Sequence, residues 1–173
     1  MNETKFNLLS PISYPGEKES NDQEIDINGI FPKKYLKLLK KYTGGIFFEN
    51  GAKYAIDTNI PNISLGYIDV IFLYGISDDD NGLAYRINMY SSNIPSEYYP
   101  LGESSGGDQV CINKKTGEIF FWWHEAQTDS ESLYFLSSNI ESFIDGLTPI
   151  EGSEEEPDNI IDKVDTSKTW LDF

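Results

Sequence analysis

Cysteine and histidine each occur once in this chain, as Cys111 and His124, and methionine occurs only twice. A single thiol excludes an internal disulfide framework and any metal site built from several cysteines. Basic residues are also scarce: 13 Lys and Arg stand against 29 Asp and Glu, a formal net charge of −16. Phosphate recognition needs clustered lysine and arginine, so this balance speaks against a nucleic-acid binder. Long apolar runs are missing too, none approaching the roughly 20 residues that span a bilayer. The first residues, MNETKFNLLSPISYPGEKES, have no basic start followed by a long apolar stretch. Neither a membrane partner nor a secretory signal peptide is read from them, and the expected address is the cytoplasm.

What is present suffices for one domain. The 173 residues are 39% hydrophobic and 14% aromatic, enough for a core at that length. Strong acidity fits a soluble protein, and it fits a protein whose partner is basic. Three regions are expected: a polar, turn-rich segment over 1–27, a folded domain over 28–150, and an acidic tail over 151–173. The tail holds eight acids against two lysines. There is no internal repeat.

The first firm element follows Pro32, a residue at home in the first turn of a helix. Tyr35, Leu36, Leu39 and Tyr42 recur at helical spacing behind it, five lysines lie mostly on the outer face, and Gly44-Gly45 close it. The lysines read as a solvated helix face, further favoured by the helix dipole at Lys40 and Lys41. Strands are expected over 46–48 and 53–56, joined as a hairpin by the turn signal Asn50-Gly51. One strand is expected over 67–74 and a short helix over 83–90 capped by Asn81. A last helix over 140–147 is expected to start on a capping box formed by Ser138 and Glu141.

The richest stretch is residues 94–125, IPSEYYPLGESSGGDQVCINKKTGEIFFWWHE. Two β-prone runs, 110–112 and 119–123, flank the turn Lys114-Lys115-Thr116-Gly117 and read as an antiparallel hairpin. Pairing Asn113 with Glu118 puts Cys111 opposite Phe120. His124 then lies four residues further along, roughly 13 Å away at the usual strand rise, so a Cys–His nucleophile pair is not formed. Cys111 reads as a small buried hydrophobe. His124 remains open to a single acid–base role with Asp108, Glu125 or Asp129. The glycines of Ser104-Ser105-Gly106-Gly107-Asp108 lack the frame of a phosphate loop and read as a tight turn. Asp78-Asp79-Asp80-Asn81-Gly82 lacks the alternating ligand spacing and the closing acid of a calcium loop, so no metal and no cofactor is expected. Trp122 and Trp123 are adjacent and point to opposite faces of a strand. No enzyme signature emerges.

The order of these motifs resembles that of the SMI1/KNR4 superfamily, also called SUKH, over roughly residues 30–147. The resemblance is carried by the proline-led helix running from Phe31-Pro32 to Thr43-Gly44-Gly45 and the middle strand ending Leu73-Tyr74-Gly75. It continues through Pro100-Leu101-Gly102, Gly106-Gly107-Asp108, Val110-Cys111-Ile112, Gly117, Trp122-Trp123-His124 and the closing Ser142-Phe143-Ile144-Asp145-Gly146-Leu147. Two departures stand out: the helix that usually precedes the proline-led one is not evident in 1–27, and the acidic tail is an addition. The resemblance implies an α+β fold with helices packed on a mixed, largely antiparallel twisted sheet, and a non-enzymatic role. Bacterial members are commonly immunity proteins that neutralise a cognate toxin, often a nuclease, of a polymorphic or contact-dependent system. Fungal members are scaffolds in cell-wall regulation.

The expected function is therefore an immunity protein acting on a basic toxin by protein–protein contact. Asp78, Asp79, Asp80, Glu103, Asp108, Glu125 and Asp129 are the expected contact acids, with Tyr99 or Trp123 as aromatic anchor. A regulatory or scaffold binding module is the alternative, and a small hydrolase using His124 the third reading.

Overall fold

The computed structural model of the chain describes residues 1–14 and 27–150. In chain order the elements are α1 (Glu3–Asn7), β1 (Pro11–Ser13), α2 (Ile27–Ile30), α3 (Lys33–Lys41), β2 (Ile46–Phe48), β3 (Lys53–Ala55), β4 (Tyr67–Asp69) and β5 (Phe72–Leu73). These are followed by α4 (Leu83–Met89), β6 (Tyr98–Glu103), β7 (Gln109–Asn113), β8 (Ile119–Trp122), β9 (Leu133–Ser137), α5 (Ile140–Gly146) and β10 (Leu147–Thr148). Seven strands form one sheet in the order β1-β2-β5-β6-β7-β8-β9, and β10-β3-β4 form a second, smaller one. The fold is α+β. Among the described residues every strand pair is antiparallel, and the parallel contact is an isolated bridge between Gly75 and Gly82.

One face of the large sheet carries the core. Leu101, Val110, Ile112, Ile119 and Phe121 meet Tyr35, Leu38 and Leu39 of α3 and Ile140, Phe143 and Ile144 of α5 there. The period-two alternation of strands sends the intervening residues to the opposite face. Cys111, Trp122 and Ile94 form a second, small cluster there, with Tyr90 at the end of α4 edge-on to Trp122 at 5.9 Å. Trp123 packs against the main core instead. The two tryptophans therefore face opposite ways, as their adjacency requires. The β7–β8 register matches the expected one, with Cys111 opposite Phe120 and the Asn113 N–H donating to the Glu118 carbonyl at 2.9 Å. Burial pushes the Cys111 thiol well above its ordinary range, because an apolar surrounding disfavours the thiolate.

Several local expectations are corrected. The hairpin across Asn50-Gly51 does not form. The turn itself closes, the Gly51 N–H donating to the Phe48 carbonyl at 3.0 Å, but β2 and β3 enter different sheets. Both edges of β2 are already occupied, by β1 on one side and β5 on the other. The strand expected over 67–74 is divided at Val70 and Ile71, so that β4 joins the small sheet and β5 the large one. Gly82, not Asn81, occupies the cap position of α4, and the Asn81 carboxamide oxygen accepts from Arg86 Nη2 at 3.3 Å. The α5 cap is Asn139, whose Oδ1 accepts from the Ser142 N–H at 2.8 Å, so Ser138 and Glu141 form no capping box.

The first 14 residues pack into this same body: Phe6 and Leu9 are buried, and β1 forms an edge of the large sheet. The apolar residues around them divide by side, Leu8 and Ile12 being exposed. The acidic tail over 151–173 lies outside the described residues.

Candidate functional site: an acidic cleft beside His124

Where β6 ends, the chain turns through Ser105–Gly107 before re-entering the sheet as β7. Gly106 and Gly107 have φ of +79° and +98°, a left-handed pair that side chains rarely adopt. This double turn brings Asp108 back beneath the end of β8. The Asp108 carboxylate is nearly buried, and its Oδ1 accepts twice from one residue: from the His124 backbone N–H at 3.0 Å and from His124 Nδ1 at 2.7 Å. A carboxylate only accepts here, so the proton sits on Nδ1. Of the three partners open to His124 in the sequence, Asp108 is the one that meets it.

A second carboxylate ties the same loop down. Asp69, at the end of β4, accepts at Oδ1 from Ser104 Oγ at 2.8 Å and from the Ser105 N–H at 3.1 Å. Its Oδ2 accepts from Ser105 Oγ. Both of these hydroxyls are thereby committed to Asp69, and His124 has neither as a partner. The residues do not form a Ser–His–Asp relay. Next to His124, Glu125 Oε2 accepts from Asn62 Nδ2 at 3.0 Å.

Together these groups line an open cleft of ≈ 560 Å³. Its polar wall is Asp69, Asp108, His124 and Glu125, and its apolar wall includes Trp123 and Leu65. Leu65 is 70% exposed, a large apolar side chain standing at the rim with little to cover it. Three carboxylates held by hydrogen bonds around an aromatic wall suit a cationic, partly apolar group such as an arginine or lysine side chain.

Of the contact residues expected from sequence, Asp108, Trp123 and Glu125 line this cleft. Glu103 sits at the end of β6, paired with Gln109 and Phe72, just before the loop. Asp129 begins the short turn Asp129–Glu131, where its carbonyl accepts from Ser132 Oγ at 2.9 Å. Asp78, Asp79 and Asp80 belong to the loop leaving the other end of β5. There Asp79 Oδ1 accepts from Ser77 Oγ and from the Asn81 N–H, both at 2.9 Å, and the Asp80 carbonyl accepts from Arg86 Nε at 2.6 Å. Tyr99 lies near the start of β6, its ring under the Lys114 ammonium at 4.6 Å. The fold thus brings together Asp108, Trp123 and Glu125 and leaves Asp78, Asp79, Asp80 and Tyr99 elsewhere. The Ser104–Asp108 loop and the His124 end, read from sequence as a candidate rim, both line the cleft, whereas sequence reasoning missed Asp69. The available signal was Asp69 itself, the lone carboxylate in an otherwise apolar run over 67–74.

No group of three or more His, Cys, Asp or Glu among the described residues is arranged to hold a metal ion. No described helix is long and apolar enough to cross a membrane.

Residues 18–146 match the SMI1 / KNR4 family (SUKH-1), and the chain belongs to that family, which is known for immunity proteins. Among its relatives, the chain is similar to the SPbeta prophage-derived uncharacterized protein YokK of Bacillus subtilis (strain 168). The two are 26% identical over 151 residues, covering 80% of this chain and 79% of the relative.

Proposed function

We propose that this chain is an immunity protein that binds a cognate toxin and neutralises it by direct contact, with the cleft beside His124 at the centre of the contact. The carrying observation is that Asp69, Asp108 and Glu125 converge on one concave surface beside Trp123. On a chain of net charge −16, such a surface favours a basic partner twice over. The summed field raises the rate of encounter, by roughly 10- to 1,000-fold at low salt for steered pairs. The cleft then receives a cationic side chain between carboxylates whose oxygens are already oriented. Nuclease toxins, whose active sites must hold phosphates, fit this description. Inhibition follows from occlusion and requires no chemistry from His124, whose place is to hold the Asp108 loop. The protein acts inside the cell that makes the toxin.

The test is co-expression with the product of the neighbouring gene, scored by rescue of growth and by co-purification. Glu125→Lys is then compared with the unaltered chain in association kinetics at low and high salt. Glu125 is exposed, so its reversal leaves the fold intact. The expected result is rescue, with association slowed at least about tenfold at low salt by the reversal. An unchanged rate removes the cleft from the interface. A reversed loop, with Asp78, Asp79 and Asp80 all changed to lysine, measures the contribution of the second acidic site.

A further inference from the structure

The large sheet ends at β9, which among the described residues pairs with β8 alone. The Trp123 N–H donates to the Ser132 carbonyl at 2.8 Å, so the period of two turns the backbone of Tyr134 toward β8 and that of Leu133 and Phe135 outward. Past a register shift at Leu136, the Leu136 carbonyl accepts from the Tyr54 hydroxyl at 3.0 Å, which closes the edge there. Sheet edges are commonly guarded by proline or by charge. The opposite edge follows that rule, since β1 opens with Pro11. β9 does not: residues 132–138 read Ser-Leu-Tyr-Phe-Leu-Ser-Ser, with no proline and no charged residue, in a chain of net charge −16. The face beside this edge is aromatic. Phe135 is 51% exposed, its ring edge-on to Phe120 at 5.8 Å, and Phe120 is edge-on to Tyr98 at 5.2 Å. This ladder stops at the bare edge, where Leu133 lies on the same face as Phe135.

We propose that two copies of this chain pair antiparallel through β9, about a two-fold axis at Tyr134, joining their large sheets into one. Register, packing and charge each favour a second copy over another occupant. The outward backbone groups belong to Leu133 and Phe135, and the pairing that uses all of them sets Leu133 opposite Phe135 of the second copy and Phe135 opposite its Leu133. That arrangement is self-complementary, as a two-fold interface requires. Residues directly opposite share a face, so Leu133 of the second copy lands against the exposed Phe135 ring and takes it out of water. Two chains of net charge −16 repel, and they approach closely only where neither carries charge. β9 is such a place, and antiparallel pairing sends the two Glu131 residues to opposite ends of it. A basic partner gains nothing electrostatic from an uncharged edge. The contact is small, so the dimer is a weak one.

Sedimentation equilibrium of the full chain, from about 10 µM to about 1 mM, is the test, and dimer is expected to appear within that range. Raising NaCl from about 0.05 to about 0.5 M is expected to tighten it at least about threefold, because salt screens the repulsion and spares the apolar contact. Phe135→Lys is expected to weaken it at least about tenfold, with circular dichroism checking that the fold is kept. Tyr134→Cys, at the axis, gives a readout independent of that variant. A non-hydrogen-bonded antiparallel pair stands about 4.5 Å apart at Cα, within reach of a disulfide. This variant is therefore expected to cross-link under mild oxidation faster than Lys115→Cys in the exposed 114–117 turn, Cys111 being buried. Monomer mass throughout, or cross-linking no faster than that control, overturns the proposal. So does association that loosens with salt, which identifies the α3 lysines meeting an acidic surface of another copy. A chain that stays monomeric, and whose Phe135→Lys variant loses capture of the neighbouring gene's product, assigns the edge to a strand of that partner and likewise overturns it.

Discussion

Replacing Asp108 by alanine tests how the cleft is held. The Asp108 side chain is 13% exposed, and its Oδ1 carries both hydrogen bonds from His124, at 3.0 and 2.7 Å. A hydrogen bond to an ionised acceptor contributes about 1.5–3 kcal/mol. The two bonds share one oxygen and the His124 side chain is 39% exposed, so their sum is discounted for solvent screening to about 2–3 kcal/mol. With a urea slope of about 2 kcal/mol per molar for a chain of this size, the midpoint falls by about 1–1.5 M. Asp108→Asn keeps the size and an oxygen that accepts from the backbone N–H, and is expected to lose roughly half as much. His124→Ala removes the ring bond alone, and the double variant with Asp108→Ala gives a coupling of about 1 kcal/mol. Urea unfolding followed by tryptophan fluorescence reads all four. A midpoint shift below about 0.3 M for Asp108→Ala refutes the reasoning, because the loop would then be held by Asp69 and the glycine turn alone.

Three further outcomes are expected. Gly75→Ala places a methyl 2.0 Å from the Thr43 carbonyl oxygen and 2.4 Å from the Gly45 nitrogen, so backbone must move. The expected loss is about 2–4 kcal/mol by thermal or urea unfolding, and a loss below about 1 kcal/mol contradicts the close approach. Asn139→Ala removes the α5 cap and costs about 1 kcal/mol, whereas Ser138→Ala costs under about 0.5 kcal/mol; the reverse order restores the capping box. Cys111 is expected to react with a disulfide reagent only after unfolding, since burial holds the thiol protonated and inaccessible, and prompt labelling of the folded chain disproves this.

Much of the fold is local and was legible. The α3 stripe, the 114–117 turn and the Cys111–Phe120 register follow from side-chain periods and turn chemistry within a few residues. The misread strand pairings involve competition between segments distant in sequence. Asn50-Gly51 makes its turn, yet β2 pairs with β1 and β5, and nothing near residue 50 encodes that those edges are taken. The α5 cap passed from Ser138 to its neighbour Asn139 because two adjacent cap formers differ only in where the helix axis begins. The cleft shows both sides. Gly106-Gly107 marks a tight turn in any sequence, and Trp123 is bound to face away from Trp122.

The amino-acid sequence by itself therefore determined the acidity, the central hairpin and the separation of Cys111 from His124, because charge and strand period need no partner, while the α+β class followed from the resemblance carried by the order of its motifs. Only the tertiary structure decided that His124 rests on Asp108 and that Asp69 crosses from another strand to hold Ser104 and Ser105. It also decided that the Asp78–Asp80 loop leaves the opposite end of β5. Those outcomes depend on which strand ends come together, and strand order is set by long-range packing that no local pattern carries.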